Sequence, residues 1–114
     1  MATNIKSTSR ELTGVEKYRL MQDMGRQSMK DIIGSTISIE AWAIYDDLDK
    51  DDNEVEVLSI LTPEGEAFTT TSKTFIREFN KMLEWIPDLD MIEIQEGSSK
   101  NGRSFIYCRL PNDR

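Results

Sequence analysis

The stretch that follows Asn101-Gly102 constrains the fold of this chain more than any other, because its pattern predicts one arm of a β-hairpin. Asn and Gly both tolerate positive φ, so the pair predicts a tight reversal of the backbone. Side chains after the reversal alternate between the two faces of a strand. The apolar face consists of Ile106, Cys108 and Leu110, and the aromatic and basic face consists of Arg103, Phe105, Tyr107 and Arg109. We therefore expect the chain to end in a sheet with one core face and one aromatic face.

Other periodicities predict the remaining elements. Thr13 and Glu16 form a capping box, which predicts a short N-terminal helix. Apolar residues at helical spacing predict a second helix over 73–86. The aromatic residues of that helix, which we expect in the core, are Phe75, Phe79 and Trp85. Alternation of period two predicts five strands, over 36–45, 54–61, 66–70, 91–95 and 104–110, and the first is long enough to bend and serve two sides of a barrel.

The order of these elements predicts the fold class. Five strands with a helix between strands 3 and 4 follow the element order of the OB-fold, a small Greek-key barrel. We expect an α+β domain, mainly β, built as a five-stranded OB-like Greek-key barrel with a short N-terminal helix. A mixed α+β sheet with the helix across one face is the alternative. The expected organisation is a flexible segment over 1–11, a single domain over 12–110 and a short tail over 111–114.

Composition removes several classes of function. No apolar run approaches the ~18 residues of a membrane span, and the polar N-terminus lacks the apolar core of a secretory signal. The one cysteine excludes a disulfide framework and favours a reducing cytoplasm. The chain contains no histidine, which excludes Cys/His zinc sites and histidine-based catalytic triads. We expect no enzymatic activity, no cofactor, no metal and no membrane partner.

The net charge of −7 is unevenly distributed along the chain. Residues 1–30 carry six basic and three acidic groups, residues 98–114 carry four and one, and residues 31–97 carry four and 17. The two ends are therefore each +3, and the middle is −13. Because salt screens charges beyond roughly 8–10 Å, local rather than total charge decides whether an anionic ligand binds.

Aromatic and basic residues form the candidate site. Flat rings beside fixed positive charge suit unpaired nucleic-acid bases and their phosphates. The residues that we expect to contact such a ligand are Trp42, Phe68, Lys73, Lys100, Arg103, Phe105, Tyr107 and Arg109. Lys73 is included because it follows Ser72 at a helix N-terminus, where free amides bind phosphate. Capping alone also explains Ser72, and packing beneath the helix also explains Trp42 and Phe105.

The acidic segment 46–54 resembles a calcium-binding loop only in part. Aligned from Asp47, acidic residues occupy EF-hand positions 1, 3 and 5. Asp52 stands where that loop needs glycine, and Leu58 stands where it needs a bidentate glutamate. The mismatch favours a solvated hairpin loop.

Three short motifs carry a resemblance to a known family. They are LSILTPEGE (58–66), SKTFI (72–76) and SKNGRSF (99–105). Over about residues 10–110 the chain resembles small phage-encoded single-stranded DNA-binding proteins of Gram-positive hosts. The resemblance implies an OB-like fold, binding of single strands in phage replication or recombination, and no catalysis. The residues that it implies beside the strand are Lys100, Arg103, Phe105 and Tyr107.

These observations favour two functions. In the first, the protein binds single-stranded DNA in the host cytoplasm without sequence preference, by stacking bases on its rings and contacting phosphates with Arg and Lys. Its further partners are phage or host replication and recombination proteins, and a homodimer is left open. In the second, it is an acidic interaction module, a DNA mimic or an inhibitor of a host or phage protein. Its contact residues then include Asp46, Asp47, Asp49, Asp51 and Asp52. A structural part of a larger assembly is a third alternative.

Overall fold

The computed structural model describes residues 4–111 of the chain. In this range the protein is an α+β structure, mainly strand. The strands are β1 (Asn4–Thr8), β2 (Gln27–Ser28), β3 (Thr36–Ser38), β4 (Ala41–Leu48), β5 (Glu54–Leu61), β6 (Ala67–Thr70), β7 (Met91–Ser98) and β8 (Ser104–Arg109), and the α-helices are α1 (Gly14–Met21) and α2 (Lys73–Trp85). The prediction of a small α+β domain built mainly from strands is confirmed. Neither described helix has the length and apolar character needed to cross a membrane.

Both helices begin where the sequence predicts. The Thr13 hydroxyl accepts a hydrogen bond from the Glu16 amide, and the Glu16 carboxylate accepts one from the Thr13 amide. The Ser72 hydroxyl caps α2 by accepting from the amide of Phe75. Arg10 donates twice to Glu16, at 2.8 and 2.7 Å, and these bonds and the Thr13 amide lower the pKa of Glu16 to about 2. The capping box therefore keeps its ionised carboxylate in mild acid.

The larger sheet has five strands in the order β1-β4-β5-β6-β2. β4 and β5 pair antiparallel along their full length. β2 joins the sheet in parallel beside β6, whereas β1 joins antiparallel beside β4. The sheet therefore has two edges that the sequence analysis does not predict.

Strand β1 lies in the segment 1–11, which the sequence predicts to be flexible. That prediction is wrong for residues 4–8, which pair with β4. The ladder satisfies backbone groups of this largely polar strand, and Lys6 donates to Glu56 at 2.6 Å. Such a strand lacks the apolar alternation from which strands are recognised. Residues 1–3, and residues 112–114 of the predicted tail, lie outside the described range.

The smaller sheet has three strands in the order β3-β7-β8. Its first strand and β4 both come from the single long strand predicted over 36–45. The amide of Ile39 donates to the carbonyl of Asp90, just before β7, at 2.8 Å. The amide of Glu40 donates to the carbonyl of Leu61 in β5, also at 2.8 Å. The chain therefore passes from one sheet to the other within two residues, which is the bend that the length of the predicted strand favours.

Two apolar cores lie on opposite faces of the larger sheet. The main core is shared by this sheet, α2 and the smaller sheet, and its largest members include Met29, Trp42, Leu58, Ile60, Phe68, Phe75, Phe79, Ile92 and Ile94. The second core joins the larger sheet to α1 and includes Leu20, Met21, Ala41, Ala43, Tyr45, Val57 and Leu61. Successive residues of β4 point alternately into the two cores, so this strand is buried on both faces.

The two sheets remain open within residues 4–111, so the barrel expected from the element order does not close. Closure would require β6 to pair with β8. The second edge of β6 is instead taken by β2, with Gln27 beside Phe68 and Ser28 beside Thr69. A two-residue parallel strand has no sequence signature, so this obstacle to closure could not be predicted.

The buried hydroxyl of Tyr45 links three parts of the second core. It accepts a hydrogen bond from Arg26 Nη1 at 2.9 Å, donates to the Leu20 carbonyl at 3.2 Å and lies 3.0 Å from Ser59 Oγ.

We expect Tyr45→Phe to lower the free energy of unfolding by about 1–2 kcal/mol, because these groups lose a partner inside the protein. Urea denaturation measures the loss. Tyr18→Phe is the control, because Tyr18 is 57% exposed, and equal stabilities of the two variants would contradict the prediction.

Burial raises the pKa of the Cys108 thiol to about 12, and the nearby Glu78 carboxylate adds to the rise. The folded protein should therefore react slowly with iodoacetamide at pH 9. Unfolding in urea should restore a thiol pKa of about 8.5 and raise the alkylation rate at least about tenfold, because more of the thiol is then ionised. The unfolded chain ionises first, so stability should fall as pH rises above that value. Equal alkylation rates with and without urea would show that the thiol is accessible.

Candidate nucleic-acid interface

The outer face of the smaller sheet carries the aromatic side of the last hairpin. β7 and β8 pair with Gly97 opposite Phe105. Ile106 and Cys108 are each only 4% exposed, whereas Phe105 is 36% exposed and Tyr107 is partly exposed. The predicted alternation along β8 is confirmed for these four residues, and the aromatic side is open to solvent.

The turn between β7 and β8 presents two cations. The amide of Ser99 donates to the carbonyl of Arg103 at 2.8 Å, and the amide of Gly102 donates to the carbonyl of Ser99 at 3.0 Å. Gly102 has a φ of 79°, which explains the glycine at this position. Lys100 and Arg103 are exposed, and neither forms a salt bridge within residues 4–111. Both are therefore available to an anion beside the aromatic face.

Phe105 and Tyr107 form one aromatic surface. Their ring centroids are 6.1 Å apart and their planes are inclined by 45°. The Phe105 ring reaches across to β7, so closely that a Cβ on Gly97 would stand 2.7 Å from Phe105 Cζ. Gly97 therefore provides the space that this ring occupies. The solvent-facing part of the two rings has the chemistry of a base-stacking platform.

Positive charge is weaker at the other end of this face. Arg109 Nε lies 3.6 Å from Glu93 Oε1, directly across the ladder. The Glu93 carboxylate offsets the Arg109 guanidinium. The cations of this face without a carboxylate partner in the described part of the chain are therefore those of the turn, Lys100 and Arg103.

Trp42 and Phe68 are core residues that lie outside the exposed aromatic face, so the structure gives no support to the prediction that they contact nucleic acid. Trp42 is 9% exposed and Phe68 is 6% exposed. The Trp42 ring meets the Phe79 ring edge-on, with centroids 5.4 Å apart. Alternation predicts which residues share a face of a strand, but it does not predict which face another element covers. The sequence therefore could not separate Trp42 from Tyr107.

Helix α2 places two further residues. Lys73 is exposed in the first turn, beside Ser72, whose hydroxyl donates to the Ile106 carbonyl at 3.4 Å. The start of α2 therefore lies at the edge of β8. The sequence predicts Trp85 in the core, but this side chain is 86% exposed, so that prediction is wrong. At ~100° per residue, the direction of Trp85 around the helix axis differs from that of the buried Phe75 by roughly a quarter-turn, so Trp85 does not face the core.

The fold also brings a distant segment to β8, which sequence reasoning missed. The loop after the 3-10 turn Met29–Ile32 is held against β7 because the amide of Gly34 donates to Ile94 and the amide of Ile94 donates to Ser35. A cleft of about 280 Å³ results, lined by Lys30, Ile33, Glu96, Ser104, Phe105 and Ile106. No local pattern predicts this neighbourhood, because it joins segments about 70 residues apart in the chain.

The acidic loop between β4 and β5 is held by hydrogen bonds from its amides to the side chain of Asp49. Asp49 Oδ1 accepts hydrogen bonds from the amides of Asp51 and Asn53, at 2.8 and 2.9 Å. Asp52 adopts a φ of 63°, as turn residues of its type tolerate. Within residues 4–111 no group of three or more cysteine and acidic side chains is placed to hold a metal ion. The predicted hairpin loop is confirmed over 49–53, whereas residues 46–48, which the sequence predicts within it, continue β4 and pair with β5.

Comparison with protein-family models, curated proteins and solved structures finds no match for this chain. The chemistry of the β7–β8 hairpin and its surroundings is therefore the basis for a functional inference.

The contact between Phe105 and Gly97 gives a spectroscopic prediction. In the proton NMR spectrum, the Phe105 ring should shift the Hα resonances of Gly97 from the chemical shifts usual for glycine. Phe105→Leu should return these resonances to the usual chemical shifts. We also expect that substitution to lower stability by up to about 1 kcal/mol, because an aromatic cross-strand pair is lost. Phe105→Tyr is the control that keeps the ring. Unshifted Gly97 resonances in the unmodified protein would contradict the packing.

Proposed function

We propose that this protein binds single-stranded DNA, without sequence preference, on the outer face of the smaller sheet. The observation that carries the proposal is the adjacency of the exposed Phe105 and Tyr107 rings, 6.1 Å apart, to two turn cations that form no salt bridge within residues 4–111. Every base has an aromatic face, so stacking on two rings accepts any sequence, at about 1–3 kcal/mol per base.

Each residue of this face has a distinct task in the proposed complex. Phe105 and Tyr107 stack two bases, and Gly97 keeps the first ring against the sheet. Lys100 and Arg103 contact the phosphates that enter at the turn. Arg109 contributes less to phosphate binding, because the nearby Glu93 carboxylate offsets the charge of its guanidinium.

The connectivity of the strands supports a relationship to the OB-fold, and we propose that this protein is an open variant of the OB barrel. In the larger sheet β6, β5 and β4 are neighbours, and in the smaller sheet β3, β7 and β8 are neighbours. One continuous segment forms β3 and β4 and so joins the two sheets, and α2 connects β6 to β7. OB-folds bind oligonucleotides on the face of strands 2 and 3 and with the adjoining loops. Here those strands correspond to β5 and β6, and α1 covers their face away from α2. The proposed site is therefore shifted to the last hairpin.

In this proposal the protein serves phage replication or recombination in the host cytoplasm and performs no catalysis. The binding needs no cofactor. Few cations contact the DNA and the total charge is −7, so binding should be weak, and its salt dependence should be modest because that dependence grows with the number of phosphates contacted.

The test is a titration of labelled oligo-dT, monitored by anisotropy at ~50 mM salt. We expect Tyr107→Ala and Arg103→Ala each to weaken binding about tenfold, because each removes a stacking surface or a phosphate contact. Lys50→Ala is the matched control, since it removes an exposed cation in the acidic loop. Absence of binding by the unmodified protein, or an equal effect of Lys50→Ala, would reject the proposal. Duplex DNA and RNA of the same length test the preference for single-stranded DNA.

The acidic side of the molecule favours a second function, an interaction module that mimics DNA. The lining of a cleft of about 330 Å³ includes Asp23, Asp47 and Asp49, one cation, Arg26, and Met24, which is 95% exposed. A basic polypeptide is the ligand that this charge suits. Binding of oligolysine that is lost in Asp47→Asn and Asp49→Asn, with no binding of oligo-dT, would favour this function over the first.

A further inference from the structure

Most of the basic residues in the acidic middle of the chain lie on the solvent-facing side of α2. Residues 31–97 contain four basic residues among 17 acidic ones. Three of these four lie on α2 at intervals of four residues, namely Lys73, Arg77 and Lys81, and Trp85 continues the interval. We call these four residues the α2 stripe.

The α2 stripe lies on the solvent-exposed side of the helix, away from the main core. Successive members are separated by about 40° around the axis, and they extend over roughly 18 Å of helix. Phe75 and Phe79 are fully buried, whereas Trp85 is 86% exposed. An indole this exposed does not contribute to the core, and its large flat surface suits a ligand with a flat surface of its own.

Two of the stripe's cations have no carboxylate partner in the described residues. Lys73 and Arg77 form no salt bridge there, whereas Lys81 lies 3.7 Å from Glu78, three residues earlier on the helix. That exposed pair is weak and exchanges readily for another anion. The α2 stripe therefore presents positive charge that is unpaired among the described residues at two successive turns, and at the third turn Glu78 partly offsets the charge of Lys81.

The start of the stripe adjoins the proposed DNA-binding face. Ser72 donates to the Ile106 carbonyl at 3.4 Å, which sets the first turn of α2 beside the middle of β8. Phe105 and Tyr107 flank Ile106 in the sequence and point to the opposite side of the strand. A chain of anions can therefore pass from the aromatic face around the edge of β8 to Lys73 and continue along α2.

We infer that the α2 stripe is a second segment of the same single-strand-binding surface, with Trp85 stacking a base and Lys73, Arg77 and Lys81 contacting phosphates. This inference rests on the proposed function. Charge complementarity calls for an anionic occupant, and the exposed indole at the end of the cation series favours one that also carries aromatic rings, as single-stranded DNA does. Two contact segments on one strand reinforce each other, so affinity should rise with oligonucleotide length until both are spanned.

The two tryptophans make the test direct. Trp85 is exposed and Trp42 is buried, so a ligand on the stripe should quench the long-wavelength part of the emission and leave the remainder unchanged. We expect an oligo-dT of about 15 nucleotides to produce this quenching, and Trp85→Ala and Arg77→Ala should each weaken its binding about tenfold. The effect on an oligonucleotide too short to span both segments should be much smaller. Tyr18→Ala, which removes an exposed ring from α1, is the control that should bind normally.

The outcomes separate this inference from the proposed function. If Tyr107→Ala weakens binding while Trp85→Ala and Arg77→Ala bind as the unmodified protein does, the α2 stripe is not part of the surface and the proposed function stands. If the unmodified protein does not bind oligo-dT, both fail. Quenching of Trp85 by oligo-glutamate but not by oligo-dT would overturn the inference in favour of an acidic polypeptide.

Discussion

The passage of the backbone from Ile39 to Glu40 is the constraint on which the rest of the structure depends. There the chain leaves the smaller sheet and enters the larger one, with one amide bonded toward β7 and the next bonded toward β5. Since the sheets share this segment, they enclose the main core together with α2. The last hairpin buries one face in that core and turns the other outward. A shift of one residue in this passage would exchange the faces of β4 and move Trp42 from the main core into the second core, where Ala41 and Ala43 now lie.

The basic residues at the two ends of the chain have different uses. Near the N-terminus, Lys6 donates to Glu56, and Arg10 contacts both Glu16 and Glu40. The first contact joins β1 to β5, and the other two join Arg10 to the first turn of α1 and to the residue before β4. The cations of the last turn and of the α2 stripe include several with no such partner among the described residues. An acidic protein can therefore retain a local surface for an anion.

Burial separates aromatic residues that the sequence treats alike. Trp42 and Tyr107 both lie in strands with alternating patterns, yet α2 covers the face that carries Trp42 and leaves the face of Tyr107 open. Trp85 lies on a helix whose other aromatic residues are buried, but its position around the axis directs it to solvent. In both cases local periodicity predicts direction relative to the element, whereas exposure depends on what packs against that element.

Features that depend on contacts within a few residues follow from the amino-acid sequence alone. The hairpin turn at Asn101-Gly102, the two helix caps and the alternation along β8 belong to this group, because turn geometry, capping and strand period are local properties. The mainly β class followed from the same local signals. Strands β1 and β2, the open sheets, the cleft beside Lys30 and the exposure of Trp85 required the folded molecule. They arise from the meeting of segments distant in sequence, and no single segment carries that information.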